Sequence, residues 1–255
     1  APVPWPSPGR RSAAKDCRGD RGRACGCDRG RPSRRSARWR FSKNPFNVFK
    51  NLAPVTLSSS QTVTGNGTLI SDKPLTLNGK ISILKSSVDG NANLTIKTTD
   101  TNVSSSSADL NINTAVIKGD ANNTSFTAES ATSLTLNGNI GNKTTDASNA
   151  TGTLDVSLTA LGGGINNNYS YGLYLNKVID ANGGVATLTS TVHNSNAANG
   201  TAAINFYNGS GITAGSFTAT GNQTFGNVNN TRQGIAFSGT TNFTITGSGI
   251  SKLDR

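Results

Sequence analysis

The sequence predicts an all-β chain, a parallel β-helix (solenoid) preceded by a disordered basic tail. Three observations support this: a short apolar–polar–apolar phrase recurs, Asn or Gly often follows it, and no segment has the pattern of a stable helix. Only 33% of the 255 residues are hydrophobic and 6% are aromatic. That is little for a compact globule, but a solenoid needs less because each coil buries a thin core against its neighbours.

Residues 1–40 form an Arg/Gly/Pro-rich segment that differs from everything after it. They hold 12 Lys/Arg and 3 Asp, a net charge of +9, and the rest of the chain carries +2 of the total +11. Positions 1–40 contain no Asn, whereas 41–255 contain 31. We therefore expect a disordered, non-native tail over 1–40, a repeat domain over 41–255, and no nucleic-acid partner for that domain.

The cysteines and the apolar runs exclude two further classes of function. Cys17, Cys25 and Cys27 all lie in the tail, and a structural zinc site needs four ligands, which this segment without His does not supply. No apolar run approaches the roughly 20 residues that cross a bilayer. The sequence thus predicts no metal, no cofactor and no membrane insertion.

The recurring phrase defines the strands. Alternation with period two places its apolar residues on one face of a strand. The Asn and Gly residues that follow suggest tight turns, because they tolerate positive φ. The phrases are Leu75–Leu77, Leu94–Ile96, Leu110–Ile112, Leu134–Leu136, Leu154–Val156, Leu173–Leu175, Ile204–Phe206, Phe217–Ala219, Ile235–Phe237 and Phe243–Ile245.

Spacing indicates how these strands are arranged. Many phrases recur at intervals of about 15–20 residues, as the coils of a repeat protein do. The longer phrase Leu-Thr-Leu-Asn-Gly occurs at both Leu75–Gly79 and Leu134–Gly138. That separation predicts three coils of about 20 residues each in a parallel β-helix. Asn and Thr at the turns would then stack into hydrogen-bonded ladders between coils. A β-sandwich is the alternative.

The repeats Leu75–Gly79 and Leu134–Gly138, together with Asn91–Thr98, resemble large exoproteins of the filamentous-haemagglutinin type. Their Asn/Thr-rich texture is most similar to the high-molecular-weight adhesins of Gram-negative bacteria. The resemblance implies a right-handed β-helix stalk and export through an outer-membrane two-partner transporter. It also implies a cell-surface virulence role in attachment to a host-cell glycan or protein receptor. The only Asn-Pro, Asn44-Pro45, lacks the context of the family's secretion domain, so the segment is expected to be internal stalk.

Two groups of residues are candidates for modification or recognition. Asn-x-Ser/Thr sequons suggest glycosylation, with turn formation as the alternative: Asn66, Asn93, Asn102, Asn142, Asn168, Asn208 and Asn242. An insertion at Asn166–Tyr171 interrupts the repeat, and loops of solenoids carry recognition. We therefore predict receptor contact by Tyr169, Tyr171 and Tyr174, since tyrosine joins an apolar ring to a polar tip. Alternatively, these rings cover the end of a coil.

Catalysis has little support in the sequence. His193 is the only histidine, and the ten acidic residues of the repeat domain are spread along the chain. A polysaccharide-acting β-helix enzyme would need clustered carboxylates. We expect no enzymatic activity and no catalytic residues. The stalk of a secreted toxin or contact-dependent inhibition protein is an alternative to an adhesin, and an enzyme is a weaker one.

Overall fold

The structure is a computed structural model of the chain, which divides into two units, Ala1–Trp39 and Arg40–Arg255. It describes residues 47–49, 54–85, 92–100, 109–119, 122–141, 152–162, 171–194, 202–225, 233–247 and 252–254. The predicted tail, residues 1–40, lies outside the described residues.

The described residues form three parallel sheets and no helix. Sheet A contains β1 (Asn47–Phe49), β4 (Gly67–Ser71), β7 (Asn93–Thr98), β10 (Thr124–Ser130), β13 (Leu154–Ala160), β16 (Val185–Asn194), β19 (Ser216–Phe225) and β22 (Lys252–Asp254). Sheet B contains β2 (Val55–Leu57), β5 (Leu75–Leu77), β8 (Leu110–Ile112), β11 (Leu134–Leu136), β14 (Tyr171–Leu175), β17 (Ala202–Tyr207) and β20 (Gln233–Ser238). Sheet C contains β3 (Gln61–Thr64), β6 (Ile81–Leu84), β9 (Val116–Lys118), β12 (Ile140–Gly141), β15 (Val178–Asp180), β18 (Gly211–Ala214) and β21 (Asn242–Ile245).

Each strand pairs in parallel with the strand three places before it and the strand three places after it. The chain therefore runs through sheets A, B and C in turn and rises by one strand at each return, which is a three-sided β-helix. A β-sandwich would contain antiparallel pairs, and every recorded pair here is parallel. The predicted fold class, an all-β parallel solenoid, is confirmed.

The repeated phrase forms strands because its apolar residues stack in register across coils. All ten phrases lie within strands. In sheet B, Leu75, Leu110, Leu134, Leu173 and Ile204 occupy one continuous column, and each is fully buried. Burying such a side chain stabilises the fold by about 1.5–3 kcal/mol. A shift of one residue would turn the whole column to solvent, so this pattern fixes the register.

The coil length of about 20 residues expected of such a repeat is wrong for most coils. Leu75 and Leu134 are separated by two coils, not three, since Leu110 lies between them in the ladder. The coil from Leu75 to Leu110 is therefore 35 residues long, and the coil from Leu110 to Leu134 is 24 residues long. The difference arises in the connections between strands, which the hydrophobic core does not constrain.

The three corners of the solenoid differ in how much their connections vary. The B–C corner comprises the connections 58–60, 78–80, 113–115, 137–139, 176–177, 208–210 and 239–241, each of two or three residues. Connections from sheet A to sheet B range from three residues (72–74) to eleven (99–109). Those from sheet C to sheet A range from one residue (215) to twelve (142–153).

Two Asn-Gly pairs at the B–C corner, Asn78-Gly79 and Asn137-Gly138, do not serve the purpose predicted for them, whereas Gly209 of Asn208-Gly209 has the predicted positive φ, at +83°. Neither Asn78 nor Asn137 has positive φ, and among the described residues Asn182 is the only non-glycine that does. At Gly79 and Gly138 a Cβ would overlap backbone atoms of the neighbouring coil. Glycine is required here because two backbones approach closely, not because of its own φ.

Two strands of sheet A, β16 and β19, are longer than the others at ten residues each. They run past the corner and lie against the outer side of sheet B. A Cβ on Gly172 would overlap the Ser190 hydroxyl, and one on Gly221 would overlap the Gly234 carbonyl oxygen. The extension widens the solenoid only in its later coils, where it carries His193.

Candidate functional site

The most distinctive outward-facing feature of sheet B is a pair of tyrosines. Tyr174 lies in β14 between the inward-facing Leu173 and Leu175, so the pleat turns its ring outward. Tyr207 follows the inward-facing Phe206 at the end of β17. The centroids of the two tyrosine rings lie 5.7 Å apart, with 39° between the ring planes. We call Tyr174 and Tyr207 the tyrosine pair.

A buried polar side chain with a defined partner lies in the strand next to Tyr174. Asn205 is in register with Tyr174, is 1% exposed and accepts a hydrogen bond from Ser238 Oγ at 3.1 Å. The contact between the two rings restricts the rotamers of both side chains. Tyr207 remains 46% exposed. An exposed ring with a hydroxyl at its tip suits contact with a sugar or a protein surface.

The tyrosine pair lies beside the end of an amide ladder, which consists of Asn78, Asn113, Asn137 and Asn176. Each side chain donates from Nδ2 to the Oδ1 of the preceding one, at 3.1, 2.9 and 2.6 Å in order along the chain. Leu175 and Phe206 are in register. Asn176 follows Leu175 and Tyr207 follows Phe206, so Asn176 and Tyr207 occupy the same position in successive coils. The predicted stacking of Asn at the turns is therefore confirmed at the B–C corner, and a tyrosine occupies the next position.

Of the three tyrosines predicted from the sequence, the structure describes one side chain. Tyr174 belongs to the tyrosine pair, Tyr171 is the first residue of β14 with only its backbone described, and Tyr169 lies outside the described residues. Sequence reasoning missed Tyr207. The available signal was its position after Ile204–Phe206, which matches the position of Asn176 after Leu173–Leu175.

Four of the seven predicted sequons fall in described residues, and all four asparagines are exposed. Asn93 Nδ2 donates to Asn66 Oδ1 at 2.9 Å, and Ser125 Oγ donates to Asn93 Oδ1 at 2.7 Å. Asn208 Oδ1 accepts from the backbone N–H of Thr240 at 3.2 Å. The fourth is Asn242, at the start of β21. Asn102, Asn142 and Asn168 lie outside the described residues, and glycosylation stays a prediction.

The described carboxylates that have defined partners make structural contacts. Ion pairs join Lys73 to Asp100 at 3.3 Å, Lys97 to Glu129 at 2.6 Å and Lys252 to Asp254 at 2.7 Å. Hydrogen bonds run to Asp109 from Thr132 and Ser133, to Asp155 from the N–H of Val185, and to Asp180 from the N–H of Asn182. Within the ranges that the structure describes, no three His, Cys, Asp or Glu side chains are grouped to hold a metal ion.

Comparison with known proteins adds no family assignment. No protein-family model, no curated protein and no solved structure matches this chain. In the described part of the chain there is also no helix long and apolar enough to cross a membrane.

Proposed function

We propose that residues 41–255 are a stalk segment of a secreted bacterial surface adhesin, and that the tyrosine pair contacts the host-cell receptor. A β-helix is suited to a stalk because every coil is bonded to both neighbours along the whole length. Repeated weak contacts along such a rod add through multivalency. The partners in this proposal are a host-cell glycan or protein and an outer-membrane two-partner transporter.

The observation that carries the proposal is the outward-facing tyrosine pair, in which Tyr174 lies on an otherwise small and polar row and Tyr207 follows Asn176 at the next row. In register along the outer face of sheet B, the residues before Tyr174 are Thr56, Thr76, Asn111 and Thr135. On this row Tyr174 is the single aromatic side chain among the described residues, and Asn205 and Ala236 follow it. Exposed aromatic rings in a pre-formed position contribute strongly to recognition because little side-chain freedom is lost on binding.

The proposal is tested by binding the fluorescently labelled full chain to epithelial cells and erythrocytes, measured by flow cytometry. We expect saturable binding, and we expect the double substitution Tyr174→Ser/Tyr207→Ser to weaken it by about tenfold or more. The matched control is Thr76→Ala/Thr135→Ala, which alters the same outward row in earlier coils and should leave binding unchanged. Absence of saturable binding to either cell type, or equal binding by both double variants, would contradict the proposal.

A further inference from the structure

The connection between β15 and β16, residues 181–184, is a tight turn that contains an Asn-Gly pair. The backbone N–H of Gly184 donates to the carbonyl oxygen of Ala181 at 2.9 Å. Between them, Asn182 has a φ of +45° and Gly183 a φ of +81°, the combination that characterises a type I′ turn. A turn of this type bonds its first residue to its fourth, so the N–H of its third residue takes no part in that bond. We call residues 181–184 the Asn182 turn.

The backbone N–H of Gly183 differs from those of the equivalent glycines at the B–C corner. There, each glycine that follows an asparagine donates its N–H to a carbonyl oxygen of a neighbouring coil at 2.9–3.0 Å: Gly79, Gly138 and Gly209. Within the described residues no hydrogen bond is recorded for the N–H of Gly183. Gly183 is also exposed, and a Cβ added there would meet nothing within 4 Å. Its nitrogen is therefore accessible to water and has space around it.

An asparagine that precedes an accessible glycine nitrogen carries its own nucleophile. The glycine nitrogen loses its proton to water or hydroxide and attacks the side-chain carbonyl carbon, Cγ, of the asparagine. The bond from Cγ to Nδ2 breaks, and Nδ2 leaves as ammonia. The product is a cyclic succinimide, and addition of water to one or the other ring carbonyl opens it to aspartate or isoaspartate. The reaction consumes only water.

We propose that Asn182 is a site of spontaneous deamidation, whereas the Asn-Gly pairs of the B–C corner are protected. At Asn137 the attacking nitrogen of Gly138 is bonded to the preceding coil, and the side chain of Asn137 is held by two ladder bonds. Reaction there requires the corner to open, so its rate is reduced to the fraction of molecules that are open. The side chain of Asn182 donates from Nδ2 to the carbonyl oxygen of Gly152 at 2.7 Å, a bond that leaves the nitrogen of Gly183 accessible.

Deamidation changes the contact that the Asn182 turn makes with the preceding coil. An aspartate oxygen in place of Nδ2 sets two acceptors against each other, because the partner is the carbonyl oxygen of Gly152. The carboxylate of Asp180 already accepts the backbone N–H of Asn182 at 3.0 Å, and a second carboxylate so close to it is repelled. Isoaspartate also adds a carbon to the main chain of the turn. The solenoid therefore weakens with age at this connection, directly after the coil segment that carries Tyr174.

The first test incubates the folded full chain in isotopically labelled water at mildly alkaline pH, where the nitrogen loses its proton more readily. Peptide mass spectrometry then follows incorporation of the label at each asparagine. We expect Asn182 to react at least about tenfold faster than Asn78, Asn137 and Asn208. In the urea-unfolded chain all four should react at similar rates, because each is followed by glycine. Equal rates in the folded chain, or reaction at Asn182 only after unfolding, would overturn the proposal.

Installing the product by mutation provides a second test. We expect Asn182→Asp to lower the midpoint of urea unfolding at neutral pH, and prolonged incubation of the parent chain to shift its midpoint in the same direction. The matched control is Asn182→Gly, which tolerates the positive φ and removes the bond to Gly152 without adding a charge. It should lower the midpoint less than Asn182→Asp does. An aspartate variant as stable as the parent chain would overturn the predicted weakening.

Discussion

The B–C corner and the corner between sheets A and B both connect strands of the same coils, yet only the connections at the first differ in length by no more than one residue. At the B–C corner the backbone N–H groups of Asn78, Asn113, Asn137 and Asn176 donate to carbonyl groups of the preceding coil at 2.8–2.9 Å. Their side chains add the amide ladder. From sheet A to sheet B the connections reach eleven residues.

This difference shows where the solenoid tolerates variation. A connection that is bonded to the coil below it cannot gain residues without breaking those bonds. In the long A–B connections the recorded bonds to a neighbouring coil lie at the ends, such as those of Thr99 and Leu161. Residues added between the ends cost little, because loop-closure entropy grows slowly with length. The insertion with the predicted receptor tyrosines lies at the permissive A–B corner, and the amide ladder lies at the restrictive one.

The largest expected effect comes from inserting Gly-Ser-Gly-Ser at each corner. Between Asn137 and Gly138 the insertion separates two residues whose backbone N–H groups both donate to the carbonyl oxygen of Ile112, and we expect the free energy of unfolding to fall by about 4 kcal/mol or more. Between Asn196 and Ala197, in an A–B connection, we expect a loss below about 1 kcal/mol. Urea unfolding followed by circular dichroism measures both, and equal losses would remove the distinction between the corners.

A single methyl group provides a smaller test of the same corner. Gly138→Ala forces a Cβ onto the carbonyl oxygen of Thr114, and we expect it to cost about 3 kcal/mol. The control is Gly183→Ala in a connection from sheet C to sheet A. Gly183 has a φ of +81°, and its added Cβ meets nothing within 4 Å. The substitution should therefore lower the free energy of unfolding only through the strained backbone conformation, by about 1 kcal/mol. A larger loss at Gly183 than at Gly138 would contradict the close-approach explanation.

These two glycines also show how far the sequence could predict the fold. Alternating apolar residues are a local signal, so the strands, their inward faces and the β-helix class followed from the sequence. Coil length did not, because the core places no constraint on the connections at two of the corners. The role of Gly138 could not be recognised either, since its neighbour Thr114 belongs to another coil.

The candidate site was predictable only in part for the same reason. Tyr174 was predicted from a local interruption of the repeat. Tyr207 lies one coil further on, and only the register that pairs Leu175 with Phe206 brings the two rings together. The apolar alternation fixes which residues face inward, but it does not show from the sequence which strands are neighbours, because the connections between β14 and β17 belong to a repeat of variable length.

The smallest effects are expected within the amide ladder itself. Asn137 makes two ladder bonds and Asn176 makes one recorded ladder bond, so Asn137→Ala should cost about 2 kcal/mol and Asn176→Ala about 1 kcal/mol. Thr135→Ala, on the outer face of the same coil, should change stability by less than about 0.5 kcal/mol. Thermal and urea unfolding of the three variants would rank them, and an order that does not follow the number of bonds lost would argue against a stabilising ladder.

Native-state hydrogen exchange of the backbone amides at the B–C corner measures how firmly each coil is held to the preceding one, since these N–H groups are bonded across coils. We expect Asn113, Asn137 and Asn176 to exchange only through opening with a free energy close to that of global unfolding, alongside the amides of the neighbouring strands. Exchange of these three amides at the rates of an unstructured peptide, with the strands still protected, would show that the B–C corner does not hold the coils together.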